Sequence, residues 1–143
     1  MSAPLLARLM VSAVAAGQGI TPLFIDLNKT HATNSLWTGH ARFHVVQQTF
    51  GLTAFAAIEV VLLWWIEPGS PFLFHLATLL TSVPIATFVI ATIARKLYGG
   101  TLHDPNGIRP VGIRLGNTVH QIDVNIVLVL VGGLVLIISV LIF

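Results

Sequence analysis

The chain has 143 residues, of which 55% are hydrophobic and 8% are charged, and its formal net charge is +2. Soluble domains carry about a quarter charged residues, so this composition excludes a soluble globular protein, and the length leaves room for one domain. The absence of cysteine excludes disulfides, thiolate metal sites and a cysteine nucleophile. The basic pI rests on seven Lys and Arg against five Asp and Glu, so it does not indicate a nucleic-acid partner.

The first predicted element is a helix over about residues 4–25. The segments Gly17-Gln18-Gly19 and Thr21-Pro22 interrupt its apolar sequence, and Pro22 predicts a kink. Its beginning, with Arg8 before a run of apolar and small residues, is also typical of a secretory signal peptide. We expect a helix that is retained in the protein.

Three further apolar runs predict helices over about residues 41–66, 71–97 and 119–142. The short turn Glu67-Pro68-Gly69-Ser70 joins the second helix to the third and requires them to be antiparallel. A membrane-spanning helix needs about 20 apolar residues, and open strands cannot satisfy their backbone groups in lipid. The sequence therefore predicts an all-α fold, an antiparallel four-helix transmembrane bundle that forms a single integral membrane domain over residues 1–143.

The two connections at one end of this bundle carry most of the positive charge. Arg8 is the only basic residue expected at the opposite end, and the others are Lys29, Arg42, Arg95, Lys96, Arg109 and Arg114. The positive-inside rule then places the loops at 26–42 and 98–118 in the cytoplasm and both termini outside, in what we expect to be a bacterial inner membrane. The long loop between helices 3 and 4, with turn signals at Gly99-Gly100 and at 104–107, suits either a lid over a site or an anchor on anionic lipid.

Five of the six histidines lie in or beside these connections, and a one-sided cluster of titratable groups in a membrane protein indicates a site. His40 and His44 have the i, i+4 spacing that places side chains about 5–6 Å apart on a helix. Two imidazoles so placed can bind one metal ion. The alternative is a pair of interfacial histidines that bind headgroups, water or backbone.

A second pair, His120 and Asp123, has i, i+3 spacing at the start of the predicted fourth helix. Asp123 could bind a metal, as carboxylates do in di-iron bundles, or orient His120 through its second ring nitrogen. Alternatively, it is simply an acidic residue favoured at a helix N-terminus.

Asp26 ends the first helix at the same depth, with His31 nearby. We expect one pocket formed by Asp26, His31, His40, His44, His120 and Asp123. These groups suit a divalent metal such as iron or zinc or, without metal, general acid–base chemistry.

Glu59 lies 19 residues after His40, about 28 Å along a straight helix and therefore outside this pocket. A lone carboxylate inside a membrane span indicates a functional group. Equally, it could be protonated and hydrogen-bonded to a Ser or Thr of a neighbouring helix, and both interpretations stay open.

The stretch Trp37-Thr38-Gly39-His40-Ala41-Arg42-Phe43-His44 resembles a signature, Trp-x-x-His-Ala-Arg-Phe-His, of small four-helix integral membrane proteins of unassigned function. The resemblance covers this motif and the number of helices. It implies the architecture and no activity.

Three functions fit these observations. The first, which we expect, is a membrane-embedded enzyme that takes a lipophilic small molecule from the bilayer, with His40, His44 and His120 as metal ligands or bases and Asp26 and Asp123 as ligand or orienting partner. The second is a haem b or quinone-binding anchor of a redox complex, with His44 and His120 as haem ligands on facing helices. The third is a structural subunit of a larger membrane assembly or homo-oligomer that docks through its polar end.

Overall fold

A computed structural model describes residues 2–103 and 108–143, so the predicted turn at 104–107, with Asp104, lies outside the described residues. Four long helices contain most of the chain, and each is long and apolar enough to cross a membrane. This confirms the prediction of a mostly helical protein with four candidate membrane spans. The elements are α1 (Ala3–Ile25), α2 (Gly39–Val61, continued by a π-helical turn Leu62–Ile66), α3 (Pro71–Ala94, continued by a 3-10 turn Arg95–Leu97), β1 (Val111–Leu115), β2 (Thr118–Ile122) and α4 (Val124–Ile142).

Residues suited to helix N-termini begin each of these helices. The Thr38 hydroxyl accepts a hydrogen bond from the Ala41 N–H at 3.2 Å and caps α2. The Asp123 carboxylate accepts from the Asn125 N–H at 2.9 Å and caps α4. α1 and α3 instead have a proline in the first turn, where the missing N–H has no intrahelical partner to lose. Polar caps and prolines thus set the starts of the helices.

Helices α1 and α2 approach closely at Gly19. A Cβ atom added at Gly19 would lie 2.5 Å from the Ala56 Cβ, and the Thr53 hydroxyl donates to the Gly19 carbonyl at 2.8 Å. The buried residues of α1 repeat every four positions, as Ala7, Val11, Ala15 and Gly19. Small residues at such a spacing let two helix backbones pack closely in a membrane.

Neighbouring helices run in opposite directions. The Trp64 indole N–H donates to the Ser12 hydroxyl at 2.8 Å, whereas Gly19 is adjacent to Ala56, so α1 and α2 are antiparallel. Between α3 and α4, the Phe74 and Phe143 rings stack at 3.8 Å, and Gly132 faces Ile85. We call the end with residues 26–38, 98–103 and 108–123 the connection end, and the end with Ser2, Phe143 and the turn at 67–70 the terminal end.

The buried apolar core lies towards the terminal end and consists of Ala7, Val11, Leu63, Phe74, Ala77 and Leu136. Large apolar side chains elsewhere on the helices point outward, such as Phe24, Ile93 and Leu141, which are 75–79% exposed. Exposure of so much apolar surface is unfavourable in water but suits a lipid environment. The fold is that of an integral membrane protein.

The structure corrects the predicted start of the fourth helix. Residues 118–122 form strand β2, which pairs antiparallel with β1 in the register Val111↔Ile122 to Leu115↔Thr118, and α4 begins only at Val124. The two strands flank the two-residue loop Gly116-Asn117, and Gly116 has φ +61°, as the first central position of a type II′ hairpin turn requires. β-branched residues on both sides of this turn, namely Val111, Ile113, Thr118, Val119 and Ile122, favour strands. The prediction of helix over residues 119–123 is therefore wrong.

Candidate functional site

His40 and His44 form a contacting pair in the first turns of α2. Their Nε2 atoms lie 3.0 Å apart, and their ring centroids lie 4.4 Å apart at an interplanar angle of 80°. Both side chains are exposed at the connection end. At this distance one ring donates an N–H to the other, so the two imidazoles share a hydrogen bond.

This geometry allows two kinds of chemistry. Two nitrogens that bind one tetrahedral zinc ion at about 2.0–2.1 Å are about 3.3 Å apart, so the observed 3.0 Å between the Nε2 atoms is close to that of a two-ligand grip. The same contact connects a proton donor to a proton acceptor, as general acid–base catalysis requires. The Phe43 ring, 63% exposed, lies 5.8 Å from the His44 ring and gives the pair an apolar neighbour.

Asp26 and His31 form a second pair. Asp26 is the C-cap residue of α1, and its Oδ1 atom lies 3.7 Å from His31 Nδ1, which is also 2.8 Å from the Thr30 hydroxyl. The His31 ring meets the Trp37 ring edge-on at 5.3 Å. Burial raises the pKa of the Asp26 carboxyl, and the charge of the nearby His31 opposes this rise.

The connection between α1 and α2 is held by its own polar side chains. Asn28 Oδ1 accepts from the Thr30 N–H at 2.8 Å, while Asn34 donates to the Thr30 carbonyl at 3.1 Å and accepts from the Leu36 N–H at 3.0 Å. Asn34 is only 4% exposed. Sequence reasoning missed the role of Asn34, although the density of Asn, Thr and Asp in this stretch is the signal that could have revealed it.

The structure does not assemble the predicted six-residue pocket. Within residues 2–103 and 108–143, no three His, Asp or Glu side chains lie close enough together to hold one metal ion. Of the predicted site residues, the structure brings together His40 with His44 and Asp26 with His31. Those pairs are local in sequence, whereas the predicted pocket needed contacts between separate helices.

His120 and Asp123 are placed differently from the prediction. His120 lies on β2, opposite Ile113, and is exposed, so the predicted helical i, i+3 pair with Asp123 is not formed. The Asp123 carboxylate instead caps α4. Because His120 is not on a helix, it also does not face His44 from a neighbouring helix in the way the haem alternative required. The β1–β2 hairpin explains both the missing His120–Asp123 pair and the missing His44–His120 arrangement, because it holds His120 on a strand.

A polar cluster at the terminal end was missed by sequence reasoning. The Arg8 guanidinium donates through Nε at 3.1 Å and through Nη2 to the Leu63 carbonyl, and it lies 4.1 Å above the Trp64 ring. Leu63 belongs to the π-helical turn of α2. A cation is favourable near a helix C-terminus, so Arg8 stabilises the end of α2. Nothing in the sequence signals the π-helical turn.

Inside the bundle, Glu59 is 2% exposed and its Oε2 atom lies 3.1 Å from the hydroxyl oxygen of Thr81, which is fully buried on α3. Of the two interpretations of Glu59 left open by the sequence, the one with a Thr partner in a neighbouring helix matches this contact. Glu59 is on the same helix as the His40–His44 pair but does not belong to it.

This fold and these residues define a class of protein: a small helical membrane protein with a His–His pair and an Asp–His pair at one end. Residues 9–116 match a family of unknown function (DUF6640), and the chain belongs to this family. The matched segment contains Asp26, His31, His40, His44 and Glu59 and ends within the hairpin, before β2 and α4. No curated protein and no solved structure matches the chain.

Proposed function

We propose that the chain is a membrane-embedded enzyme in which the His40–His44 pair is an acid–base centre acting on a lipophilic small molecule. The observation that carries this proposal is the 3.0 Å hydrogen bond between the two exposed Nε2 atoms. We further propose that the antiparallel helices span a bacterial inner membrane with the connection end in the cytoplasm, because that end carries six of the seven basic residues.

The pair can take up a proton at one position and release one at another. Because the two Nε2 atoms bind each other, the Nδ1 atoms are left to meet a substrate. In the neutral pair, the ring that donates through Nε2 carries an unprotonated Nδ1, and the accepting ring carries a protonated Nδ1. When the first Nδ1 takes a proton, the shared proton moves across the Nε2–Nε2 contact and the second Nδ1–H is released. Protons are conserved, and both rings return to neutral imidazole.

A lipophilic substrate is supported by the surroundings of the pair. Phe43 is exposed beside His44, and large exposed apolar side chains continue along the lipid-facing surface of α2, among them Phe50 and Phe55. Arg42 lies between the two histidines in the sequence, and its side chain is half-buried. Its guanidinium is suited to binding an anionic group on the substrate or on a lipid headgroup. We therefore expect an apolar molecule with a polar end, which enters from the bilayer.

The number of available metal-ligating side chains favours an acid–base centre over a resident metal ion. Catalytic zinc sites have three protein ligands, whereas His40 and His44 supply two nitrogens and no third His, Asp or Glu joins them in the described part of the chain. The pair alone does not fit a resident metal. A metal ion would need ligands from a substrate or a second copy, and metal analysis of purified protein tests that alternative.

The experiment uses protein reconstituted in vesicles and incubated with a lipid extract in D2O. Proton removal and return at carbon exchanges hydrogen for deuterium, so mass spectrometry should reveal a lipophilic species that gains mass only with the protein. His40→Ala and His44→Ala should each lower this exchange about 10²-fold or more, as expected for loss of a general acid or base. The control is His103→Ala, since His103 is an exposed histidine outside the pair. Equal exchange in the wild type and the two pair variants would end the proposal.

A further inference from the structure

Glu59, Thr81 and Gln18 form a polar contact inside the bundle, one residue from each of three helices. Glu59 Oε2 lies 3.1 Å from Thr81 Oγ1, and the Gln18 side-chain amide donates to the Thr81 carbonyl at 3.2 Å. Glu59 is 2% exposed and Thr81 is fully buried. Glu59 lies 15 residues after His44 in α2, about 22 Å along the helix axis. This contact is therefore separate from the proposed acid–base pair.

The hydrogen-bond count around Thr81 favours a proton on Glu59. A threonine hydroxyl has one hydrogen to donate. Thr81 Oγ1 lies 2.8 Å from the Ala77 carbonyl oxygen and 3.1 Å from Glu59 Oε2, and each of these oxygens can accept its single hydrogen. If Glu59 is ionised, both neighbours are acceptors and only one of them can receive that hydrogen. If the Glu59 carboxyl carries a proton, it donates to the Thr81 hydroxyl oxygen while the hydroxyl donates to the Ala77 carbonyl, so both contacts are hydrogen bonds.

The surroundings of Glu59 offer no positive charge in place of that proton. Across residues 2–103 and 108–143, the one ion pair within 4.0 Å joins Asp26 to His31. One turn beyond Glu59, Arg8 of α1 donates to the Leu63 carbonyl and covers Trp64. The other polar groups packed between the helices include Ser12 and Gln18 of α1, Thr49 and Thr53 of α2, Thr78 and Thr81 of α3 and Ser139 of α4, all uncharged. A buried carboxylate without a cation is strongly unfavourable.

We infer that Glu59 is a proton-binding site within the membrane-spanning part of the protein, occupied at neutral pH, and that its proton makes the hydrogen bond between α2 and α3. Loss of the proton leaves a buried anion that competes with the Ala77 carbonyl for the one hydrogen of the Thr81 hydroxyl. Release of the proton is therefore coupled to a change in the contact between the two helices at this depth.

Infrared spectroscopy of the reconstituted protein at pH 7 tests this site. We expect the carbonyl stretching band of a protonated carboxylic acid, which shifts in D2O and is lost in Glu59→Gln. Glu67→Gln is the matched control, because Glu67 is exposed in the turn at the terminal end. Asp26→Asn and His44→Ala should also leave the band in place, which separates this inference from the proposed acid–base site.

A second variant keeps the test valid if Glu59→Gln does not fold. Thr81→Val has nearly the same shape but no hydroxyl, so the acid band should persist and move to higher frequency as its hydrogen bond is lost. Absence of an acid band in the wild type at pH 7 would overturn the inference. So would a band that neither Glu59→Gln nor Thr81→Val changes.

Discussion

The Asp26 carboxyl ends α1 with 28% of its side chain exposed, and His31 Nδ1 lies 3.7 Å from its Oδ1 atom. Two opposing effects act on it. Burial disfavours the charged carboxylate, while a protonated His31 favours it. The pKa of Asp26 is raised overall, so burial has the larger effect. The native protein therefore holds a proton on Asp26 at pH values where the unfolded chain has released it.

This difference predicts how stability varies with pH. When the native state binds more protons than the unfolded state, the free energy of unfolding decreases as pH rises. The Asp26 contribution should therefore be present at pH values below the unfolded pKa near 3.8 and be lost as pH rises through the raised native value. Asp26→Asn should remove this part of the slope. Melting temperatures in detergent between about pH 3 and 7 measure it, with Glu67→Gln as an exposed control; equal slopes in wild type and Asp26→Asn would contradict the prediction.

At the scale of single residues, local contacts could be predicted from the sequence and distant ones could not. His40 and His44 meet because four residues make about one helical turn, which requires no knowledge of tertiary structure. Glu59 could have paired with any Ser or Thr facing α2. The rotation of α2 and α3 about their axes selects Thr81, and a single sequence does not encode that rotation in a readable pattern.

The α1–α2 contact shows how one glycine sets the distance between two helices. A methyl group at Gly19 would lie 2.5 Å from the Ala56 Cβ and 3.3 Å from the Thr53 Cα. Neither neighbour can move away without shifting α2, because one contact is with the backbone and the other with a Cβ. The same substitution two residues earlier, at Gly17, meets nothing within 4 Å.

We predict that Gly19→Ala destabilises the protein by about 1–3 kcal/mol, the range for overpacking a close contact. Gly17→Ala should be neutral or stabilise α1 by up to about 1 kcal/mol, since alanine has the higher helix propensity. Thermal unfolding in detergent, followed by tryptophan fluorescence, measures both. The double variant Gly19→Ala with Ala56→Gly should recover most of the loss, and equal effects at the two glycines would count against the close contact.

A second prediction at this scale concerns the π-helical end of α2. Arg8 donates to the Leu63 carbonyl, and a hydrogen bond to a charged group contributes about 1.5–3 kcal/mol. Arg8→Met keeps much of the apolar stem but removes the donor, so we expect a loss within that range. Arg109→Met, at an exposed arginine, is the matched control. If both variants unfold at the wild-type temperature, the Arg8 contact does not stabilise the helix end.

The hairpin marks the limit of element prediction in this chain. Three helices were predicted to within a few residues, because each apolar run has a polar cap or a proline at its start. Before α4, however, β2 itself contains apolar residues and leads directly into the apolar run of the helix. The sequence therefore shows no clear boundary between the strand and the helix. Only the β-branched residues on either side of Gly116-Asn117 indicate strands there. That single error moved His120 out of the predicted pocket.

At the scale of the whole molecule, the antiparallel packing of the helices places most of the basic residues at one end of the bundle. Both connections lie at one end, and that end has Lys29, Arg42, Arg95, Lys96, Arg109 and Arg114. The terminal end has Arg8, whose guanidinium is directed at Leu63 and Trp64. The asymmetry in basic residues is therefore large, and it falls in connections of fewer than about 60 residues, the range over which the positive-inside rule applies best.

The natural absence of cysteine allows this orientation to be measured directly. Ser35→Cys, exposed in the connection between α1 and α2, and Glu67→Cys, exposed in the turn before α3, place one thiol at each end of the bundle. In intact bacterial spheroplasts, a membrane-impermeant maleimide should label Glu67→Cys and spare Ser35→Cys until the membrane is opened. The reverse pattern would place the connection end, with the His40–His44 pair, on the outside. Protons for that pair would then come from the external medium, and the charge asymmetry would need another cause.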